Sequence, residues 1–316
     1  MPLTVRPAVL ADAPAVCALM NAVDLVEIGR PETDLHAVEA DLSHGDVELA
    51  RDSWLVYEDG ALVAFGILWS DSGEGDIGVD HYVLPDRPAA AVLLLELVEA
   101  RAAAKAARSG AARAVLRLHL TARPAVDTAL LAARGWRTVR RHQVMTRPLS
   151  AADLLPEPPA WLSLRDCRAE ADRRLAHVLV EETFAEHFGH HARTYEQWLD
   201  DIGGAHLDWS LVWIASLAGE GDVAVMVTRD DRDAMGWIRN LGVRGAVRSR
   251  GVGGHLLRHA FGTYAARGRD TIGLGVDTQN ASRALALYEA HGMTPHYAVD
   301  TWEVTLPVTA PTTRTP

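Results

Sequence analysis

Three glycines fall within four positions of the stretch RSRGVGGHLL, which covers residues 248–257. Glycine has no Cβ, so a ligand can approach its backbone N–H closely, and the first N–H groups of a helix have no partner within the helix. Two arginines, Arg248 and Arg250, add positive charge. If these glycines open a helix, residues 248–254, here called the glycine loop, can hold phosphate oxygens. The stretch therefore predicts a pyrophosphate site.

The flanking elements support this interpretation. Residues 235–243 read as a strand before the loop, and the apolar run from residue 254 to 266 reads as a helix after it. The spacing is not that of the loop in which Lys and Ser or Thr follow the glycines, nor that of G-x-G-x-x-G. It is instead Arg248-x-x-Gly251-x-Gly253.

The same order of elements occurs in both halves of the chain. Each half reads as a strand and an Ala-rich helix, a strand pair, a third strand, a helix, a strand, a short helix and a final strand. The endings LLAARGWRTVRRHQVMTRPL and LYEAHGMTPHYAVDTWEVTL align, with Gly135 over Gly292. This pattern predicts a duplicated α/β domain with a mixed sheet, at residues 1–149 and 161–306. Residues 150–160 read as a Pro-rich linker and residues 307–316 as a disordered tail.

The glycine loop and a second segment, TQNASRALALYEAHGM at residues 278–293, together resemble the GNAT N-acetyltransferase superfamily. Its acyl-CoA pyrophosphate loop is written R/Q-x-x-G-x-G/A, and its second signature is an Asn, a short helix, a Tyr and a Gly. Asn280, Tyr288 and Gly292 fill those places, with one residue more between Asn and Tyr than in many members. The half that contains them also resembles tandem-domain members of the mycothiol synthase type. The resemblance implies two tandem GNAT domains, each a twisted mixed sheet flanked by helices.

The resemblance also implies a mechanism with acetyl-CoA as co-substrate and no metal. Two strands splay apart, the pantetheine arm pairs with exposed backbone, and the same backbone stabilises the oxyanion while an amine attacks the thioester directly. Tyr288, with an ordinary pKa near 10, would protonate the leaving thiolate as general acid. The implied cofactor-binding residues are Leu241, Gly242, Val243, Arg248, Ser249, Arg250, Gly251, Val252, Gly253, Gly254, Asn280 and Tyr288.

The first half lacks both the glycine loop and the tyrosine. The stretch after Val83, LPDRPAAAVLLLELVEA, has no glycine, and Leu131 stands in the place of Tyr288. Both differences fall on the site of the same ligand. We therefore expect the first half not to catalyse a reaction. It would either support the second half structurally or shape its acceptor cleft.

Acceptor contacts and a general base are predicted more loosely. Three histidines lie in HFGHH, and two glutamates precede them four residues apart on one helix face, where a solvated surface is the simpler interpretation. Glu182, His187 and His190 are the predicted substrate contacts. No carboxylate or cysteine lies at a spacing that would complete a metal site with the histidines. The candidates for the base are His187, His190, His191, Glu182, Glu186, Asp277 and Asp300.

Composition limits the remaining function classes. The 316-residue chain has a net charge of −11, which argues against nucleic acid or an anionic membrane as the main partner. Two distant cysteines build no disulfide framework, and no signal peptide or spanning segment is visible, so we expect a cytoplasmic protein, as a monomer or homodimer. The predicted function is acetyl-CoA-dependent N-acetylation of a small-molecule amine. The alternatives are a non-catalytic acyl-CoA sensor, a mycothiol-synthase-type enzyme and a protein N-acetyltransferase.

Overall fold

The computed structural model describes residues 2–45, 47–70, 75–230, 235–279 and 284–308, which form two compact units. Unit 1 comprises the chain up to Arg141 and from Tyr297 onward, and unit 2 comprises His142–His296. The strands are β1 Leu3–Arg6, β2 Ser53–Glu58, β3 Ala61–Ser70, β4 Asp76–Val83, β5 Arg113–Thr121, β6 Arg137–Pro148, β7 Leu162–Asp166, β8 Val212–Leu217, β9 Gly221–Arg229, β10 Met235–Val243, β11 Thr271–Asp277 and β12 Thr294–Pro307. The α-helices are α1 Ala13–Glu27, α2 Leu35–Leu42, α3 Leu49–Asp52, α4 Pro88–Arg108, α5 Thr128–Ala133, α6 Glu170–Phe184, α7 Tyr195–Asp201, α8 Val252–Ala266 and α9 Ala284–Ala290.

Unit 1 is a mixed sheet in the order β1-β2-β3-β4-β5-β12. Its pairs are antiparallel except β4 and β5, which run parallel. The Asp59-Gly60 turn joins β2 to β3 with left-handed φ values of 50° and 81°, the geometry that a two-residue hairpin requires. Helix α4 packs the buried Leu94 and Leu95 against this sheet. The predicted strand pair and mixed sheet are therefore present.

Unit 2 has the corresponding order β6-β11-β10-β9-β8-β7. Strands β10 and β11 run parallel but pair only from Met235 to Ile238 on β10, although β10 continues to Val243. The register of β10 against β9 shifts at Arg239, which marks a bulge at the point where β11 leaves. The two strands therefore splay apart toward their carboxyl ends.

Helix α8 covers one face of this sheet. Its buried side chains include Leu256, Leu257 and Tyr264, and a Cβ at Gly236 of β10 would collide with the Tyr264 ring. The Tyr264 hydroxyl donates to the Arg229 carbonyl at 2.9 Å, which satisfies its polar end within the core. Close packing of α8 on β10 fixes the start of the helix beside the open end of the strand.

The final strands of the two halves, β6 and β12, do not lie in the domains to which the sequence analysis assigned them. Residues 142–148 of β6 belong to unit 2 and pair with β11, whereas β12 from Tyr297 belongs to unit 1 and pairs with β5. Each unit thus takes its final strand from the other half of the sequence. The physical reason is that the two final strands have similar patterns, and pairing with a partner strand, not sequence order, decides where each one lies.

Residues 150–160, the predicted linker, contain neither helix nor strand. Part of this segment packs on α8, because a Cβ at Gly262 would lie 2.6 Å from the Leu155 backbone nitrogen. In the part of the chain that the structure describes, no helix is both long enough and apolar enough to cross a membrane.

Candidate active site

The glycine loop opens helix α8 with an unusual backbone. Gly251 is the residue before the first helical turn and has a φ of 85°, and Ser249 has a φ of 63°. Among the described residues, no side chain caps the start of α8. A Cβ at Gly251 would meet open space, and one at Gly253 would come within 3.2 Å of Leu287. The first N–H groups of α8 are therefore left for an anionic ligand.

A cavity of about 450 Å³ lies in unit 2 where β10 and β11 separate. The glycine loop, α6, α9 and β6 contribute to its walls. The described residues that line it are His142, Thr183, Phe184, His187, Ile238, Arg239, Leu241, Gly242, Val243, Val247, Arg248, Ser249, Gly251, Val252, Gly253, Gly254, Leu274, Gly275, Val276, Asp277, Ala284, Leu287 and Tyr288.

The carboxyl end of β10 provides one edge of this cavity. Leu241, Gly242 and Val243 pair with β9 on one side, while pairing with β11 has already ended at Ile238. Alternate backbone N–H and C=O groups of this segment can therefore bond a ligand that enters the cleft. Gly242 has a second function that the sequence did not reveal, because a Cβ there would collide with Thr183 Oγ1 of α6.

Tyr288 lies on α9 and lines the same cavity while only 7% of its surface is exposed. Burial raises the pKa of its hydroxyl to about 12. This is higher than the ordinary value of about 10 on which the sequence prediction relied. The hydroxyl therefore keeps its proton throughout the physiological pH range.

The two arginines of the glycine loop have different surroundings. Arg248 lines the cavity, and its Nε donates to the Val243 carbonyl at 3.1 Å. Arg250 instead pairs with Glu220 in the turn between β8 and β9, at 2.6 Å, and is not among the described residues that line the cavity. The prediction for Arg250 is therefore corrected: its charge is directed to a neighbouring carboxylate.

Of the three predicted substrate contacts, the structure places one in the cavity. His187 lines it and stacks on Phe184 with ring centroids 4.4 Å apart. Burial lowers the pKa of His187, against a smaller opposing effect of the Asp277 carboxylate. Glu182 and His190 do not line the cavity among the described residues, because each forms an ion pair or hydrogen bond with another side chain. Glu182 Oε2 lies 2.8 Å from Arg244 Nη2, and His190 Nε2 lies 3.3 Å from Glu181 Oε2.

Two further candidates for the base, Asp277 and Asp300, lie in different places. Asp277 lies at the end of β11 and lines the cavity. Asp300 lies on the part of β12 that belongs to unit 1, where both its oxygens accept from Arg141 at 2.6 and 2.7 Å. The structure therefore removes Asp300 from the candidates. Asn280 lies outside the described residues.

The cavity also contains residues that sequence reasoning missed. His142 enters from β6, opposite Asp277 in the strand register, and could not be anticipated because β6 was assigned to the other domain. Arg239 lines the cavity at the β10 bulge, and its Nη2 lies 2.8 Å from Asp201. The bulge that places Arg239 is visible only in the pairing of β10 with β9, so the sequence offered no signal for this residue. Among the described residues, no group of three or more His, Cys, Asp or Glu side chains is arranged to hold a metal ion.

Unit 1 has the same strand separation without the rest of the site. Pairing of β4 with β5 ends at Val79, but α4 begins with Pro88 after Arg87 and has no glycine in its first turn. Arg87 is paired with Glu58 at 2.9 Å. Leu131 is fully buried in the hydrophobic core. The backbone and side-chain features that make the cavity of unit 2 a candidate active site are thus replaced here by core packing.

Residues 208–294 match the model of the acetyltransferase (GNAT) domain family. This range begins just before β8 and includes β10, the glycine loop, α8 and Tyr288. Over 127 residues the chain is 36% identical to a mycothiol acetyltransferase of Beutenbergia cavernae. That alignment covers 40% of this chain and 42% of the relative, so the shared sequence is less than half of either protein.

Two solved structures are similar over nearly the whole chain. A GCN5-related N-acetyltransferase from Sphaerobacter thermophilus superposes with a TM-score of 0.83 at 25% identity, over 96% of both chains. A tandem GNAT protein from the clavulanic acid biosynthesis pathway superposes with a TM-score of 0.70 at 16% identity, over 96% of this chain and 98% of that one. Residues 208–294 therefore match the GNAT acetyltransferase domain, and the fold of the chain as a whole is that of the tandem GNAT structure.

Proposed function

We propose that unit 2 is an acetyl-CoA-dependent N-acetyltransferase for the amine of a small molecule. The observation on which this rests is a single cavity that combines the open start of α8, the separated end of β10 and the protonated Tyr288. We propose that catalysis belongs to residues His142–His296 and that unit 1 has no activity of its own. Unit 1 would serve either as a structural support or to shape the acceptor site.

The residues of the cavity fit acetyl-CoA, which supplies an acetyl group activated as a thioester. The glycine loop has uncapped N–H groups and no Cβ at Gly251 or Gly253, and Arg248 adds a positive charge, so this end would hold the pyrophosphate. The backbone from Leu241 to Val243 would bind the pantetheine arm and the acetyl carbonyl. Ser249, Val252 and Gly254 complete this wall.

Tyr288 is the proposed general acid. Its hydroxyl is protonated because burial raises its pKa to about 12, and it faces a cavity large enough for the reacting groups. A proton held at Oη is available to the sulfur that leaves as the thioester C–S bond breaks, and its donation would release CoA as the thiol. In the first half the equivalent Leu131 can supply no proton.

His187 is the proposed general base. Burial lowers its pKa, so the imidazole is neutral near pH 7 and can accept a proton from an incoming ammonium. The Asp277 carboxylate lines the same cavity and favours the imidazolium that would form. Neither Glu182 nor His190 offers this combination, since each is already engaged outside the cavity.

A mycothiol acetyltransferase activity is a second candidate, favoured by the 36% identity over 127 residues to the protein of that name. A non-catalytic acyl-CoA sensor is a third, and a protein N-acetyltransferase a fourth. A sensor needs the glycine loop but not the acid. The presence of Tyr288 in the cavity favours an enzyme over a sensor.

Replacing Tyr288 by Phe tests the proposal. We expect the acetylation rate constant to fall about 10²- to 10⁴-fold, because the proton donor is lost, while CoA affinity stays within about threefold. The assay follows thiol release from acetyl-CoA with a panel of amines that includes the acceptor of mycothiol acetyltransferases, and calorimetry measures CoA binding. Tyr195→Phe is the matched control, since the Tyr195 hydroxyl contacts Glu170 and does not line the cavity.

The outcomes separate the candidate functions. If CoA binds but neither the wild type nor Tyr288→Phe acetylates any amine, the sensor is favoured and the enzyme proposal fails. If Tyr288→Phe acetylates as fast as the wild type, the assignment of the acid fails.

A further inference from the structure

A second cavity, of about 370 Å³, lies in unit 2 and shares none of its described lining residues with the first. Its walls come from the end of β6, the segment that follows β6, the middle of α8 and the end of α9. The described residues that line it are Arg147, Ala152, Asp153, Leu154, Pro156, Arg258, Phe261, Ala290 and His291. None of them has a part in the proposed acetyl transfer.

Two guanidinium groups and one carboxylate set the charge of this cavity. Arg147 Nη2 donates to Asp153 Oδ1 at 2.6 Å, and the Ser150 backbone N–H donates to the other oxygen at 2.9 Å. Burial opposes ionisation of Asp153, but these hydrogen bonds outweigh it, and the pKa of the carboxyl is lowered. Asp153 is the one carboxylate among the described lining residues, so it compensates only one of the two arginines.

His291 contacts one of the two guanidinium groups. Its Nε2 lies 3.1 Å from Arg258 Nη1 and its Nδ1 lies 2.8 Å from the Leu287 carbonyl oxygen. A guanidinium only donates hydrogen bonds, so Nε2 must accept and Nδ1 must carry the proton. The imidazole therefore holds the Arg258 guanidinium at the cavity wall.

The Arg147 guanidinium is held in place but incompletely bonded. It lies over the Phe261 ring, 4.5 Å from the ring centroid, which is a cation–π contact that fixes its plane. Its Nη1 atom is buried and has no hydrogen-bond acceptor among the described residues. A buried donor without a partner is unfavourable, so an acceptor that reaches Nη1 would be bound favourably.

We infer that this cavity is a binding site for a small oxyanion, either a phosphate or a carboxylate group. Its oxygens would accept from Arg147 Nη1 and from the Arg258 guanidinium, and the excess positive charge of the lining residues would be neutralised. The apolar surfaces of Leu154, Pro156 and Phe261 would contact the body of a ligand that bears this group. The inference does not depend on the proposed acetyltransferase activity.

Binding of inorganic phosphate and of acetate at constant ionic strength tests this inference. Calorimetry on the full chain would compare the wild type with Arg258→Gln and Arg147→Gln. We expect at least one anion to bind and its Kd to rise tenfold or more in both variants, because each loses a charged donor. Arg168→Gln is the control, an equal charge change on an exposed arginine of the same unit that pairs with Asp166 and does not line the cavity.

The glycine loop can also bind phosphate, so Arg248→Gln is measured in parallel. His291 packs against this loop, since a Cβ at Gly254 would lie 2.7 Å from His291 Nε2, and the two sites must be told apart by mutation. Should Arg147→Gln unfold the segment that Asp153 anchors, Arg258→Gln alone decides. Loss of phosphate affinity in Arg248→Gln with none in Arg258→Gln overturns the inference, as does failure of both anions to bind the wild type. Binding of phosphate but not acetate, or the reverse, identifies the anionic group.

Discussion

At the scale of single residues, equivalent positions in the two halves differ in the chemistry that their side chains can supply. Tyr288 lines a cavity with its hydroxyl protonated, whereas Leu131 is buried in a hydrophobic core. A similar contrast exists on the central strands, where Leu241 of β10 borders the cavity and His81 of β4 is buried on the face that α4 covers. Unit 1 therefore contains a buried titratable group of its own.

His81 should make the stability of unit 1 sensitive to acid. Burial lowers the pKa of His81 to about 4 from the ordinary 6.5. Between these two values the unfolded chain binds a proton at His81 and the folded chain does not. Stability from this group is fully present above pH 6.5 and is lost as the pH falls toward 4, by an amount on the order of 3 kcal/mol. Urea unfolding of His81→Leu from pH 7 to 4 should show a smaller loss than the wild type.

The exposed His36, changed to Gln, provides the control for this measurement. Its curve should follow that of the wild type across the whole range. Parallel curves for His81→Leu and the wild type would show that His81 does not produce the acid sensitivity.

At the scale of elements, close packing of helices on the sheet positions the site. Helix α6 approaches β10 so closely that Gly242 has no room for a Cβ beside Thr183. The same helix ends at Phe184, and the turn that follows brings His187 to the cavity. Gly242 thus has two roles. Its backbone lines the cavity, and its lack of a Cβ lets α6 pack closely enough to position His187, the proposed base.

Gly242→Ala should therefore destabilise unit 2 by about 1–3 kcal/mol, because the added methyl group forces α6 away from β10. Chemical denaturation measures the loss, and the double change Gly242→Ala with Thr183→Ala should recover part of it. Gly245→Ala is the control, since a Cβ at Gly245 would meet open space and its φ is not left-handed. Equal stability of the two glycine variants would contradict the packing argument.

At the scale of the whole molecule, each unit depends on a strand from the other half of the sequence. Nine residues of β12, Val299–Pro307, pair with β5 in unit 1, and Asp300 of β12 holds Arg141. Residues 142–148 of β6 pair with β11 in unit 2. Neither half of the sequence, cut at the linker, contains a complete sheet.

A chain that ends at His296 should therefore lose the fold of unit 1. The truncation removes the pairing partner of β5 and leaves the edge of that strand open. We expect limited proteolysis to cut first within residues 2–141 and the far-UV circular dichroism signal to fall. A chain that ends at Val308 retains every residue of β12 and should behave as the full chain does. Early cleavage within residues 161–296 instead would favour the boundaries predicted from the sequence.

Local pattern was sufficient for much of this protein. The glycines before an apolar helix, the tyrosine downstream and the absence of both in the first half identified the elements of the candidate site, because glycine freedom and helical periodicity are properties of neighbouring residues. The strand predicted at residues 235–243 coincides with β10, and the helix predicted from residue 254 begins at Val252. Assignment of the site to the second half followed from the same local comparison.

Tertiary structure alone decided what depends on distant partners. Pairing assigned β6 and β12 to units that sequence order did not predict, and with β6 it brought His142 into the cavity. Ion pairs that form only in the folded chain join Arg250 to Glu220 and Glu182 to Arg244. Burial raised the pKa of Tyr288 above its ordinary value. The physical reason is common to all: strand pairing, ion pairing and desolvation are set by residues far apart in the chain, which a local pattern does not encode.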